Sequence, residues 1–320
     1  MGDQDRTRRA LIQSGASLGL AAATGLLAPG AALAQTSELP PSDPAYIGDE
    51  HVRDRVTAGV RLAGGRELTF AIDSAANSSV LAEDLLDETP HRRIGRVVMH
   101  TLVGPESAEA IIVPRMQSGA VDVDDVRLAI GSREGLNGLD GLMGADVLAD
   151  RKLVLKFGRG IVTRIERSRS LAPGRLRIQD PRNYLTVPVE ARFSSLVMIR
   201  ALFGADEGRA IIDSGASMTM INTVAARVAG VTPLATTTGE TVTSIQSPTG
   251  ATTPARLGLL PSLSFADAHV SRLPVLVGDF HTFGEWGLAD TPAGLLGLDV
   301  LSLFETVSID LRRRELRVTA

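Results

Sequence analysis

Apolar positions along this chain alternate or run in short blocks instead of recurring every three to four residues, which is the pattern of β-strands. Val56 to Leu62 and Leu196 to Leu202 are rich in aliphatic residues, and each leads into a glycine-containing turn, Gly64-Gly65 and Gly204 to Gly208. The strand after each turn ends on an aspartate, Asp73 or Asp213, set directly behind an apolar run. Beyond each aspartate loop the pattern predicts a short helix, Val80 to Leu86 and Thr223 to Val228. Hairpins follow, with turn residues at their tips: Gly104-Pro105 in the first half, Ser247-Pro248-Thr249-Gly250 in the second. Val121, Val123, Leu128 and Ile130 suit half-buried antiparallel strands. The expected class is mainly β.

The same order of features occurs twice, so the chain reads as a duplication. AIDSAANSSVL around Asp73 lies over IIDSGASMTMI around Asp213, 140 positions later. Upstream, Asp43-Pro44 and Tyr46 answer Asp180-Pro181 and Tyr184. Downstream, VPRMQSGAVDVDDVRLAI (113–130) lies over LPSLSFADAHVSRLPVLV (260–277), and GLMGADVL (141–148) over GLLGLDVL (294–301). The offset grows from 140 to 147 to 153, so the second half carries small loop insertions. SRSLAPGR, from Ser168 to Arg175, breaks the pattern and sets the expected units at 35–170 and 171–320.

The chain is long enough, at 320 residues, to bury a sizeable core in each unit. A net charge of only −4 gives no basic field, so nucleic-acid partners are set aside. Cysteine is absent, which removes disulfides, thiol nucleophiles and thiolate metal sites. The five histidines, His51, His91, His100, His269 and His281, show no ligand spacing, and no metal or cofactor is expected.

Residues 1–34 read as an export leader: RTRRALIQ, then an uncharged Ala, Gly and Leu-rich stretch, then Ala32-Leu33-Ala34. Arg8 and Arg9 make it resemble a twin-arginine (Tat) signal, implying a periplasmic or extracellular protein with no lasting membrane insertion. Gly15-Ala16-Ser17-Leu18-Gly19 matches a hydrolase nucleophile pattern but sits in that leader with no strand before it, and is rejected.

An apolar strand, Asp-Ser-Gly, and a later apolar-apolar-Gly strand resemble the pepsin-like and retropepsin-like aspartic proteases. The second half carries Ile211-Ile212-Asp213-Ser214-Gly215-Ala216 and Leu295-Leu296-Gly297; the first carries Ile72-Asp73-Ser74-Ala75-Ala76 and Leu142-Met143-Gly144. The resemblance covers nearly all of the chain after the leader and implies two tandem retropepsin-like β-barrel lobes in a bilobal acid-protease fold. It implies one site between the lobes, with Asp73 and Asp213 catalytic. Two carboxyl groups held together cannot both ionise cheaply, so they share one proton and titrate as a unit. The ionised one then takes a proton from an attacking water while the protonated one donates to the peptide carbonyl. The resemblance assigns Ser74 and Ser214 to hydrogen bonds across to the opposite loop. It also implies that Gly215 allows close backbone approach and that the strands ending at Gly144 and Gly297 pass beneath the aspartate loops.

Three departures matter. Ala75 stands where the motif has glycine, raising the question of whether the added methyl group shifts Asp73. Ala76 and Ala216 lack the hydroxyl that pepsins use to lower a carboxyl pKa, so a less acidic working pH than pepsin's is expected. Neither hairpin carries the tyrosine found over the pepsin cleft, and Trp286 reads as a packing residue. The expected function is an aspartic endopeptidase acting as a monomer with pseudo-twofold lobes on a peptide or protein substrate. The alternative is a catalytically inactive pepsin-fold peptide-binding protein of the cell envelope; separate dimerisation of each lobe is disfavoured because the linked halves already supply the complementary partner.

Overall fold

A computed structural model of the protein describes residues 10–13, 55–158, 160–168, 185–187, 189–190, 196–236, 239–240 and 242–319. Most of the leader, Tyr46, Tyr184 and all but Ser168 of the SRSLAPGR boundary lie outside them.

Each half closes a ring of six strands. In the first, Thr57–Leu62, Glu67–Ile72, Gly141–Met143, Val80–Ala82, Val121–Gly131 and Pro105–Ser118 follow one another around the barrel. Arg61 and Leu62 then meet Gln117 and Met116, so no edge is left open in the ring. The second half repeats this with Met198–Phe203, Asp206–Ile212, Ala293–Leu296, Met220–Ile221, Ala268–Val277 and Thr252–Phe265. Its closure comes from Leu202 and Phe203 on Ser264 and Leu263. The chain therefore folds as two β-barrel lobes, and the duplicated pattern is a duplicated barrel. Ala10–Gln13, inside the predicted leader, runs parallel to Ala268–Ser271.

Pattern and structure part company in two places. The predicted helix Val80 to Leu86 is a strand, Val80–Ala82, followed by one 3-10 turn, Glu83–Leu85. Val80 and Leu81 are fully buried between Val121–Gly131 on one side and Gly141–Met143 on the other, and that pairing wins over local propensity. The counterpart helix Thr223–Val228 forms as predicted, because the Asn222 side chain caps it by accepting from the Ala225 N–H at 2.8 Å. The charged run Arg312 to Arg314 suggests a solvated final strand from its sequence; it forms instead the exposed turn between Thr306–Asp310 and Glu315–Thr319.

That last hairpin belongs to a third sheet that the pattern did not reveal. Val162–Arg167 and Arg151–Lys156 from the first half join Thr306–Asp310, Glu315–Thr319 and Leu185–Val187 from the second. Leu153 opposes Ile309 and Leu155 opposes Val307, all four fully buried, so the lobes share a continuous apolar floor. A second cluster, around Ile211, Leu295, Phe283 and Trp286, takes in Ala75 and Leu102 from the first lobe. Trp286 lies there with 7% exposure, edge-on to Phe283, as the packing residue the sequence suggested. Among the described residues no helix is long and apolar enough to cross a membrane.

Candidate active site

Both aspartates stand at the same structural address. Ile72 pairs in parallel with Met143, and Ile212 with Leu296. The Asp73 N–H donates to the Met143 carbonyl and the Asp213 N–H to the Leu296 carbonyl, each at 3.0 Å. The chain must then turn away sharply, and small residues permit it. Asp73 Oδ1 accepts from the N–H groups of Ala75 and Ala76 at 2.8 Å; Asp213 Oδ1 accepts from those of Gly215 at 2.8 Å and Ala216 at 3.2 Å. In each carboxylate this fixes one oxygen and leaves the other free for chemistry.

The loops lock to each other through their serines. Ser74 Oγ donates to the Ile212 carbonyl at 2.8 Å and accepts from the Ser214 N–H at 3.1 Å. Ser214 Oγ donates to the Ile72 carbonyl at 2.8 Å and accepts from the Ser74 N–H at 3.1 Å. Both hydroxyls are fully buried, so every bond of this fourfold cross-tie lacks competition from water. It sets the two aspartate loops in register, and each carboxyl group acts on the protonation of the other.

Glycine is required here for space and not for backbone angle. A methyl group on Gly215 would stand 2.5 Å from Asp73 Oδ2 and 2.6 Å from its Cγ. On Gly144 it would meet the Ala76 carbonyl oxygen at 2.8 Å, and on Gly297 the Met218 carbonyl carbon at 2.7 Å. Ala75 lies outside the left-handed region, keeps its N–H on Asp73, and rests its methyl against the second-lobe cluster.

Loss of hydration raises both carboxyl groups above the usual aspartate range, Asp213 the further because Asp73 faces it. A shared proton is the low-energy state of such a pair. Behind it lies a repeated support. Ser79 Oγ donates to Asp146 at 2.7 Å and accepts from Gly144 N–H; Thr219 Oγ1 donates to Asp299 at 2.7 Å and accepts from Gly297 N–H. Each hydroxyl thus bolts a glycine strand to the helical turn after it. The repeated Gly-x-Asp-Val-Leu endings were the signal for Asp146 and Asp299, although spacing alone gives them no role.

Burial raises Asp299 to about 6. A carboxyl whose pKa is higher folded than unfolded adds stability below its unfolded value, and that stability is lost as pH rises through about 6. From an ordinary aspartate value the effect is on the order of 3 kcal/mol between pH 4 and pH 7. Chemical denaturation at those two pH values is expected to show a smaller difference in Asp299→Asn than in the wild type; equal differences would remove Asp299 as the cause.

Arg55 is the site residue that sequence reasoning missed. The antiparallel register that pairs Thr57 with Ala71 sets Arg55 opposite Asp73, whereas the same register in the second lobe sets the buried Leu196 opposite Asp213. Burial draws the guanidinium below its usual range against the pull of both aspartates. With its amide oxygen turned toward Arg55, Asn137 accepts from Nη2 at 2.6 Å and Nη1 at 3.1 Å. Nε is buried without a partner among the described residues. A cation there favours ionised carboxylate, so it opposes the desolvation that holds the pair's proton. Arg55→Met is expected to move the acid limb of the pH–rate profile upward, with cleavage at the acid end falling more than at the optimum; an unmoved limb would make Arg55 a packing residue.

Two hairpins cross from one lobe to the other. The tip of Arg92–His100 and Pro105–Ser118 reaches the second lobe, where Leu102 accepts from the His281 N–H at 3.1 Å. The tip between Val242–Gln246 and Thr252–Phe265 reaches the first, where Pro248 accepts from the Ser132 N–H at 3.0 Å and Ser247 Oγ donates to Glu106. The histidines that the sequence left scattered also meet here in part: His100 and His281 face each other across the cleft.

The family model described as "Aspartyl protease" matches residues 199–300, which span Asp213, Ser214, Gly215 and Gly297. No curated protein matches the chain. The repeat carries the motif, with Ala75 in place of glycine, to Asp73, outside the matched span.

Proposed function

We propose that this chain is an aspartic endopeptidase that hydrolyses peptide bonds with water activated between Asp73 and Asp213. One observation carries the reading: two carboxyl groups from duplicated loops are held on a reciprocal serine cross-tie where each acts on the other's protonation, each with one oxygen fixed by backbone N–H groups. The family match over the second lobe supports protease chemistry in general. With one proton between them, the ionised member removes a proton from the water as the water's oxygen attacks the carbonyl carbon. The protonated member donates to the carbonyl oxygen, and collapse of the tetrahedral intermediate then breaks the C–N bond as the amine takes up a proton. No covalent enzyme intermediate is required.

The substrate in this reading is an extended peptide lying between the dyad and the two hairpins. The protein works as a monomer, since both halves of the site come from one chain. The twin-arginine leader supports export to the periplasm or beyond. Incubation of the full chain with a mixed peptide library from pH 3 to pH 7, read by mass spectrometry, is expected to show internal cleavage. Saturable peptide binding with every peptide left intact would instead identify the peptide-binding alternative.

A further inference from the structure

We infer that His100, His281 and Glu285 form a site for a divalent transition metal of the zinc class, and that the ion clasps the first-lobe hairpin shut over the cleft. His100 ends the first hairpin strand, while His281 and Glu285 occupy one face of the helix His281–Glu285 on the second lobe. His100 Nδ1 lies 2.9 Å from His281 Nε2 and 3.4 Å from Glu285 Oε2, and His281 Nε2 lies 3.5 Å from Glu285 Oε1. A tetrahedral zinc ion with bonds of about 2.0–2.1 Å has ligand atoms separated by roughly 3.3 Å. The two ring nitrogens and the two carboxylate oxygens that face them thus show spacings close to that value, and one ligand atom from each of the three residues lies within 4.8 Å of the others.

The donor chemistry agrees. Two imidazoles and one carboxylate form a set that zinc accepts, with the fourth position open to water because all three side chains are partly exposed. At 2.9 Å one facing ring nitrogen donates its proton to the other, which of the two being set by the tautomer. A metal would replace that proton and bring in the carboxylate as well. The consequence is mechanical. His281 N–H already bonds to Leu102 at the hairpin tip, and Leu102 packs on the cluster that contains Ala216 from the second aspartate loop. A bond from His100 through the ion to the opposite lobe would hold that tip down and slow peptide entry.

The effect on peptide entry rests on the protease reading; the site itself does not. Tag-free full chain titrated with ZnCl₂ at pH 7 is expected to bind one ion per chain, with MgCl₂ giving no signal because magnesium prefers oxygen ligands. His100→Ala, His281→Ala and Glu285→Gln should each weaken zinc binding by at least the roughly 10–100-fold that follows loss of an outer-shell partner. Hydrogen exchange at the His281 and Thr101 amides should slow with zinc in the wild type and not in His100→Ala. Circular dichroism of each variant separates lost ligands from lost fold, and the exposed Glu285→Gln serves if a histidine variant unfolds. No binding at 100-fold excess zinc, or binding indifferent to all three substitutions, would overturn the site. Peptide cleavage by wild type should fall on adding zinc, with the ratio of rates restored toward one in His100→Ala. Zinc bound through these residues with cleavage unaffected would overturn the clasp. Zinc bound with no cleavage under any condition would leave the site standing and remove the protease reading instead.

Discussion

Asp213→Asn is expected to lower kcat/KM for peptide cleavage by about 10³- to 10⁴-fold while leaving the fold intact. Asparagine keeps the shape and one acceptor oxygen, so the N–H groups of Gly215 and Ala216 retain their partner. What disappears is the ability of the pair to hold and pass one proton. The amide cannot ionise, and its NH₂ group donates permanently toward Asp73. Stability is expected to move in the opposite direction near neutral pH. Asp213 is only 6% exposed, and both burial and the facing Asp73 raise its pKa, so its ionised form is a cost to the folded state there. Rates from pH 3 to pH 7 and a denaturant midpoint at pH 7 check both halves of the expectation. A variant that cuts within tenfold of wild type would show that another group performs the hydrolysis. A variant that loses cleavage only because it unfolds would show that Asp213 is structural.

Much of this site was legible because the chain states it twice. One Asp-Ser-Gly is an ordinary turn; that motif and its Asp-Ser-Ala counterpart, each behind an apolar strand and ahead of an apolar-apolar-Gly strand, mark a pair of equivalent loops. Even the phase of the strands was present in the letters. Val121 and Val123 fall on odd positions and Leu128 and Ile130 on even ones, and the change of phase coincides with Asp125, which adopts φ 51° and interrupts the pairing of Val121–Gly131 with its neighbour. Arg272, 147 positions later, does the same in the second lobe with φ 54°. What the pattern did not hold is what depends on contacts between halves. Arg55 looks like one surface arginine among many until the register sets it opposite Asp73. His100 and His281 are 181 positions apart and meet only because a first-lobe hairpin crosses to a second-lobe helix. The shared sheet escaped notice because its strands are spread over both halves and are completed by Leu185–Val187, between them in sequence.

The difference between Ala75 and Gly215 leads to the second large effect. The two positions are equivalent in the repeat, yet they do not have equal room. A methyl group at 215 would press on the Asp73 carboxyl group at 2.5–2.6 Å, and that carboxyl cannot retreat freely because Ala75 and Ala76 hold its other oxygen. Something must move by several tenths of an ångström, and it is the reacting group. A displacement approaching 1 Å costs about 100-fold in rate, so Gly215→Ala is expected to lower kcat/KM by about that factor. The loss should fall mainly on kcat, because the hairpins and cleft walls are untouched. Gly297→Ala offers the contrast: there the methyl group would meet backbone of Met218 and Ala216, which cannot rotate away, so the expected loss is in folding stability. Ala75→Gly should change kcat/KM little, since its methyl already packs against the second-lobe cluster without a positive φ. Parallel kinetics and thermal unfolding of the three variants decide the matter. Gly215→Ala at wild-type rates would mean that Asp73 is not held in a fixed position, and a large gain of cleavage in Ala75→Gly would mean that the first lobe has drifted from a more active ancestor.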